Sequence, residues 1–191
     1  MLHLLMKSKS FFMKIYNIIA VAALIIASGA VTLAGPGEKH NPVPDNVKKL
    51  YSFLGNWKGK ATMTQNGQTQ NFDYLMDMKT DADGWGILYH EKGLIPNAAP
   101  YVGFGMMGFD ENDNALHIFT VSNYGDVHDH KGSWTDDKNF TVEYNGILEG
   151  KPMKEELSVE FVTADTWKFR DVVTVNGQDF QTLSAVMHKV K

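Results

Sequence analysis

The chain has 191 residues, 43% hydrophobic and 21% charged, with 17 glycines and no cysteine. This is globular composition at the size of one domain; it excludes disordered and collagen-like classes, and a chain without cysteine has no disulfides to hold it. The formal net charge of −4 argues against a nucleic-acid partner, which would need clustered Lys and Arg to neutralise phosphates.

Lys7, Lys9 and Lys14 precede every acidic residue, since the first is Glu38. An apolar run over residues 15–33 follows, and small residues close it at Ser28-Gly29-Ala30 and Thr32-Leu33-Ala34. The order of charge, apolar core and small residues is that of a secretory signal peptide. Residues 1–34 are therefore expected to be removed, leaving no stable membrane anchor, and the destination is the periplasm or the medium. A lipid-modified amino terminus would need a cysteine after the apolar run, and there is none. Without Lys7, Lys9 and Lys14 the mature chain carries 15 basic against 22 acidic side chains, a net charge near −7. That balance also disfavours anionic membrane surfaces.

Residues 35–44, with Gly35-Pro36-Gly37 and two further prolines, read as a flexible lead-in. From Asp45 a short helix is expected, capped by Asp45, with Val47, Leu50, Tyr51 and Leu54 on one face and Gly55 as its stop. After Gly55 the period changes. Strand-like runs are expected over residues 57–64, 69–79, 85–92, 101–109, 115–121, 126–134, 139–148, 153–162, 167–175 and 179–189. Turn residues separate them, including Asn66-Gly67 and Asn176-Gly177, strong hairpin signals. Alternation marks one face of each strand as core: Phe72, Tyr74, Met76 and Met78 oppose Asn71, Asp73 and Asp77. About ten strands in up-and-down order, with short connections, are best served by closure into a single antiparallel barrel spanning residues 45–191. A β-sandwich is the competing all-β arrangement, but its crossovers need longer connections.

Leu54-Gly55-Asn56-Trp57-Lys58-Gly59, directly after the helix and opening the first strand, resembles the G-x-W start of lipocalin-like, or calycin, barrels. The added glycine in G-x-W-x-G is similar to the nitrobindin branch, and the layout resembles a family of secreted bacterial barrels of unknown function. A third glycine expected by that pattern is Ala61. The resemblance implies a barrel with Trp57 plugging one end. It also implies a possible haem, held through a histidine on the last strand, for which His188 is the candidate.

The chemistry read from the residues themselves is different. His128-Asp129-His130 places two imidazoles on one strand face, and His117 joins them if the Ser122–Gly125 loop has an even number of residues. Three convergent imidazoles would suit zinc. Glu155 and Asp171 fall on otherwise apolar faces and could orient a polar ligand head or act as a base. Gly103 and Gly105 either bend their strand or leave room for a ligand, and the apolar loop 94–100 is a lid or a partner contact. No nucleophile elbow, phosphate loop, EF-hand or H-E-x-x-H motif is present, so binding is favoured over catalysis.

The leading reading is a small apolar molecule held in the lumen by Trp57, Tyr74, Met76, Trp85, Tyr89, Phe104, Met106, Trp167 and Phe169. A metal-dependent protein using His117, His128 and His130, and a filled barrel acting as an envelope interaction protein, are the alternatives. The exported protein is expected to begin between residues 28 and 36, and amino-terminal sequencing that returned a start before Ile15 would contradict this.

Overall fold

Tight turns between alternating segments produce ten antiparallel strands in chain order: β1 (Gly55–Gln65), β2 (Gln68–Asp81), β3 (Gly86–Leu94), β4 (Tyr101–Asp110), β5 (Ala115–Ser122), β6 (Val127–Trp134), β7 (Asn139–Leu148), β8 (Lys151–Thr163), β9 (Thr166–Val175) and β10 (Gln178–Lys189). The structure is a computed structural model and describes residues 42–191. The expected export signal and residues 35–41 of the lead-in lie outside the described residues. Each strand pairs with its neighbours in sequence, and β10 pairs back onto β1 to close the barrel. Trp57 opposes Lys189 across that seam, and Val190 N–H donates to the Asn56 carbonyl at 2.8 Å. At two of the hairpins Asn66-Gly67 and Asn176-Gly177 have positive φ at both positions, the backbone that matches strand twist in a two-residue turn.

Before the barrel, α1 (Asp45–Lys49) tightens into a 3-10 turn over Leu50–Phe53. Pro44, not Asp45, occupies the cap position; Asp45 lies in the first turn, where its negative charge suits the helix dipole. The tighter pitch buries Val47, Leu50 and Phe53, while Tyr51 and Leu54 are only partly covered. Phe53 enters the barrel end and meets Phe161 at 4.5 Å, Trp167 at 5.2 Å and Phe140 at 5.9 Å between ring centroids. Trp57 is 1% exposed, stands edge-on to Trp167 at 6.0 Å, and donates its indole N–H to the Phe53 carbonyl at 2.5 Å. These rings form the floor. The opposite end, where the hairpins at 66–67, 149–150 and 176–177 lie, is the mouth.

Because Trp57 ties the 3-10 turn to the first strand, Trp57→Ala removes both a buried ring and a floor hydrogen bond. It should lower unfolding free energy by about 3–5 kcal/mol, and Trp57→Phe by markedly less. Urea midpoints read with a common slope would check this; an unchanged midpoint in Trp57→Ala would place the ring on the surface.

Candidate functional site

Ten strands enclose more width than their inward side chains fill. A cavity of about 610 Å³ runs from the aromatic floor to the mouth. Its lower part is apolar, with Met76, Met107, Ile118, Trp167 and Phe169. Its rim includes Ile95 and Ala98 of the loop between β3 and β4 and Tyr124 of the turn between β5 and β6. That loop is tied down: Tyr124 donates to the Ala99 carbonyl, Asn123 Nδ2 to the Pro100 carbonyl, and the Tyr101 and Tyr124 rings stack at 6.0 Å.

Between floor and rim runs a belt of polar side chains. On one side, Tyr74 and Tyr101 donate their hydroxyls to the two oxygens of Glu91, the Tyr101 bond being 2.8 Å. Beside them Tyr89 hydrogen-bonds the Thr120 hydroxyl. Gly103 and Gly105 make this possible. A side chain at Gly103 would strike the Glu91 carboxylate, and one at Gly105 would strike the Tyr89 ring and the Phe119 carbonyl. The room that the glycines leave is thus taken by Glu91 and Tyr89, which lie across β4.

Across the lumen, His128 and His130 of β6 face Glu155 of β8. Glu155 Oε2 lies 2.6 Å from His128 Nδ1 and 3.3 Å from His130 Nε2. One ligand atom from each of the three residues falls within 4.8 Å of the others. The ladder between β6 and β7 covers only residues 131–134 against 140–143. Just beyond it the Tyr144 ring stacks on His128 at 4.1 Å and 15°. The side chain that Gly146 lacks would collide with the Tyr144 ring. Asp171 of β9 lines the same cavity, and its Oδ1 is buried with no hydrogen-bond partner.

Burial and charge set the protonation of this belt. Burial pushes the Glu91 carboxyl up, and the hydrogen bonds from Tyr74 and Tyr101 pull it partly back. Burial together with the charge on Glu91 raises all three phenols, which stay neutral donors. Burial also pushes Asp171 well up, reinforced by the charge on Glu155. Glu155 goes the other way: burial would raise it, but the His128 hydrogen bond and the charges of both imidazoles prevail and hold it down at about 2.

The expected site residues divide. Tyr74, Met76, Tyr89, Trp167 and Phe169 line the cavity, and His128 and His130 face it. Trp57 lies in the floor and Trp85 is half-buried in the turn before β3, outside the cavity lining. Phe104 and Met106 point outward, 41% and 51% exposed, because Gly103, Gly105 and Met107 take the inward positions of β4. His117 also points outward. Val121 pairs with Val127, so five residues intervene and the turn is odd. That parity puts His117 opposite Lys131, bonded to Asp113 and Asp129 at 3.1 and 3.2 Å. His188 is exposed on the outer wall beside Thr166, so it cannot present an axial ligand to a haem in the lumen. Glu91, Tyr101, Thr120 and Tyr144 had gone unnoticed in the sequence. The signal for Glu91 was a charge continuing the inward series Ile87, Tyr89.

No family model and no characterised protein matches the sequence. Solved structures do resemble the fold. The Rv2717c protein of M. tuberculosis superposes with a TM-score of 0.59 at 12% identity, covering 78% of this chain and 100% of that one. An S-type phycobiliprotein lyase of Guillardia theta gives 0.53 at 11% identity, over 76% of this chain and 93% of that one. A DUF3598-family protein of unknown function from Nostoc punctiforme gives 0.51 at 10% identity, over 83% of this chain and 54% of that one. At these identities the likeness shows the fold alone, in keeping with the closed ten-stranded antiparallel barrel.

Glu91 yields a pH test. Its folded pKa lies above the unfolded value, so its contribution is fully present below the ordinary carboxylate range. The contribution is lost as pH rises through the raised folded value. Glu91→Gln keeps an acceptor for one tyrosine and cannot ionise. The variant should therefore gain stability relative to the parent between pH 4 and 7, read from urea midpoints. A constant difference across that range would mean that Glu91 titrates normally.

Proposed function

We propose that this chain is an exported binding protein that holds one small molecule in its lumen, with an apolar body toward the floor and a hydrogen-bond-donating head at the polar belt. The observation that carries the reading is the cavity of about 610 Å³, open at one end and lined on its lower walls by Met76, Met107, Trp167 and Phe169. Pockets that bury small organic ligands span about 300–1,000 Å³ and combine apolar walls with a few convergent polar groups. An open lumen of this kind favours ligand binding over a filled barrel that acts through its outer surface.

The charge of the belt narrows the head group. Glu91, Glu155 and Asp171 offer carboxyl oxygens, and among the described residues no lysine or arginine lines the cavity beside them. An amine, hydroxyl or amide would satisfy these oxygens, whereas a free carboxylate head would meet the negative charge held on Glu155. Export supports an encounter with the ligand outside the cytoplasm and rests on the charge pattern of residues 1–34.

A neutral apolar amine, N-phenyl-1-naphthylamine, should bind the native protein saturably at about one per chain, with a change in tryptophan emission through Trp167. A long-chain alcohol or amine should displace it better than a fatty acid of equal length. Leu157→Trp, which narrows the lumen, should weaken the probe at least about tenfold. Unsaturable binding, or binding indifferent to Leu157→Trp, would move the site off the lumen.

A further inference from the structure

We propose that His128, His130 and Glu155 form a binding site for one divalent transition-metal ion, with its remaining coordination positions open to the lumen. The site requires no organic ligand and so goes beyond the binding reading above.

The argument starts from a conflict between acceptors. His130 Nδ1 lies 3.3 Å from the Ile118 carbonyl oxygen, which can only accept, so Nδ1 carries the hydrogen. In the neutral ring Nε2 then presents a lone pair, and it faces Glu155 Oε2 at 3.3 Å. Both atoms are buried, and their approach to one another is not a well-formed hydrogen bond. Two lone-pair groups held face to face in a poorly solvated wall need a cation between them, either a proton or a metal ion.

The third group selects the metal. His128 Nδ1 approaches the same carboxylate oxygen at 2.6 Å, so both imidazoles converge on one atom. Bonds of about 2.0–2.2 Å to nitrogen and oxygen place ligand atoms about 3–3.5 Å apart. The three atoms here already lie within 4.8 Å of one another, a spread that small side-chain rotations close. Hydrogens on both facing nitrogens would crowd two donors onto one carboxylate oxygen, whereas a metal ion is bound by all three atoms at once and leaves a position open to the lumen. Imidazole nitrogen with a single carboxylate suits zinc and its first-row neighbours rather than calcium or magnesium.

The surroundings are those of a supported site. The Ile118 carbonyl fixes the tautomer of His130, as outer partners of metal-bound imidazoles commonly do. Tyr144 fixes the plane of His128 by stacking. All three ligands line the cavity, so an open position would face its contents and would take water or a donor atom of a lumenal ligand.

The test uses the full chain, stripped with chelator and titrated near neutral pH with Co2+, whose visible d–d absorption reports its donors. About one Co2+ per chain should bind with a visible band, and equimolar Zn2+ should bleach it. Glu155→Gln and His128→Ala should each weaken binding by more than about 100-fold, beyond the loss usual for an outer partner alone. His117→Ala should leave it within about threefold. His130→Gln provides a fourth variant that preserves volume in the buried position, and far-UV circular dichroism confirms that each variant is folded. Absence of the band, or a band that survives both Glu155→Gln and His128→Ala, overturns the site. Naphthylamine binding measured on the same metal-free sample separates the two readings: probe uptake without Co2+ uptake sinks the metal site alone, and Co2+ uptake without probe uptake supports it while removing the ligand reading.

Discussion

The pairing of β10 with β1 decides everything that follows in this molecule. An open meander of ten strands would expose two rows of backbone donors and acceptors and could bury a face only against a separate partner. Closure satisfies both edges within one chain and turns one face of every strand into an interior. It also fixes a circumference set by strand number rather than by side-chain volume. The lumen therefore exists because the backbone demands a ring wider than its contents. The helix, the 3-10 turn and the floor rings plug one end and leave the other open.

Inside that ring, the carboxylates Glu91 and Glu155 each stand against a pair of polar side chains. Burying a carboxylate without partners is costly, and Glu91 meets the cost with two phenols while Glu155 meets it with two imidazoles. The two solutions differ in sign. Phenols are neutral donors and leave the negative charge of Glu91 disfavoured; imidazoles carry or share positive charge and leave that of Glu155 favoured. One barrel thus holds a carboxyl inclined to be protonated and another inclined to be ionised on facing walls. A ligand head reaching between them meets two different acceptors.

Much of this was legible in the chain. Each of the ten strands follows from alternation and from turn residues such as Asn66-Gly67, because both are local properties of the backbone. The inward face of β2 was equally clear, since Phe72, Tyr74, Met76 and Met78 stand against polar neighbours. The facing of β4 was not. Phe104 and Met106 are larger and more apolar than Gly103 and Gly105, yet the glycines face inward because Tyr89 and Glu91 from β3 occupy the space in front of them. That is a cross-strand fact with no local trace. The histidines show the same limit: one residue in the turn before β6 decides whether His117 faces the lumen, and turn length within a polar stretch cannot be counted from composition. The odd carboxylates Glu155 and Asp171 were visible as charges on apolar faces, but their partners lie on other strands.

Closure has a further consequence in time. Every other ladder joins strands adjacent in sequence and can form as a hairpin, whereas the β1–β10 seam joins opposite ends of the domain. Its loop entropy must be met before any of its hydrogen bonds is made, so the seam is expected to form late, after a nearly complete sheet has zipped from neighbour to neighbour. During that interval both future seam strands are raw edges, open to pairing with another chain. Lys58 and Lys60, outward on β1 and sharing Asp73 of β2 as their partner, line one of those edges with charged side chains, a feature that discourages edge-to-edge pairing. A charged edge on β1 thus matters while the ring is unfinished, when the strand has no partner on its far side.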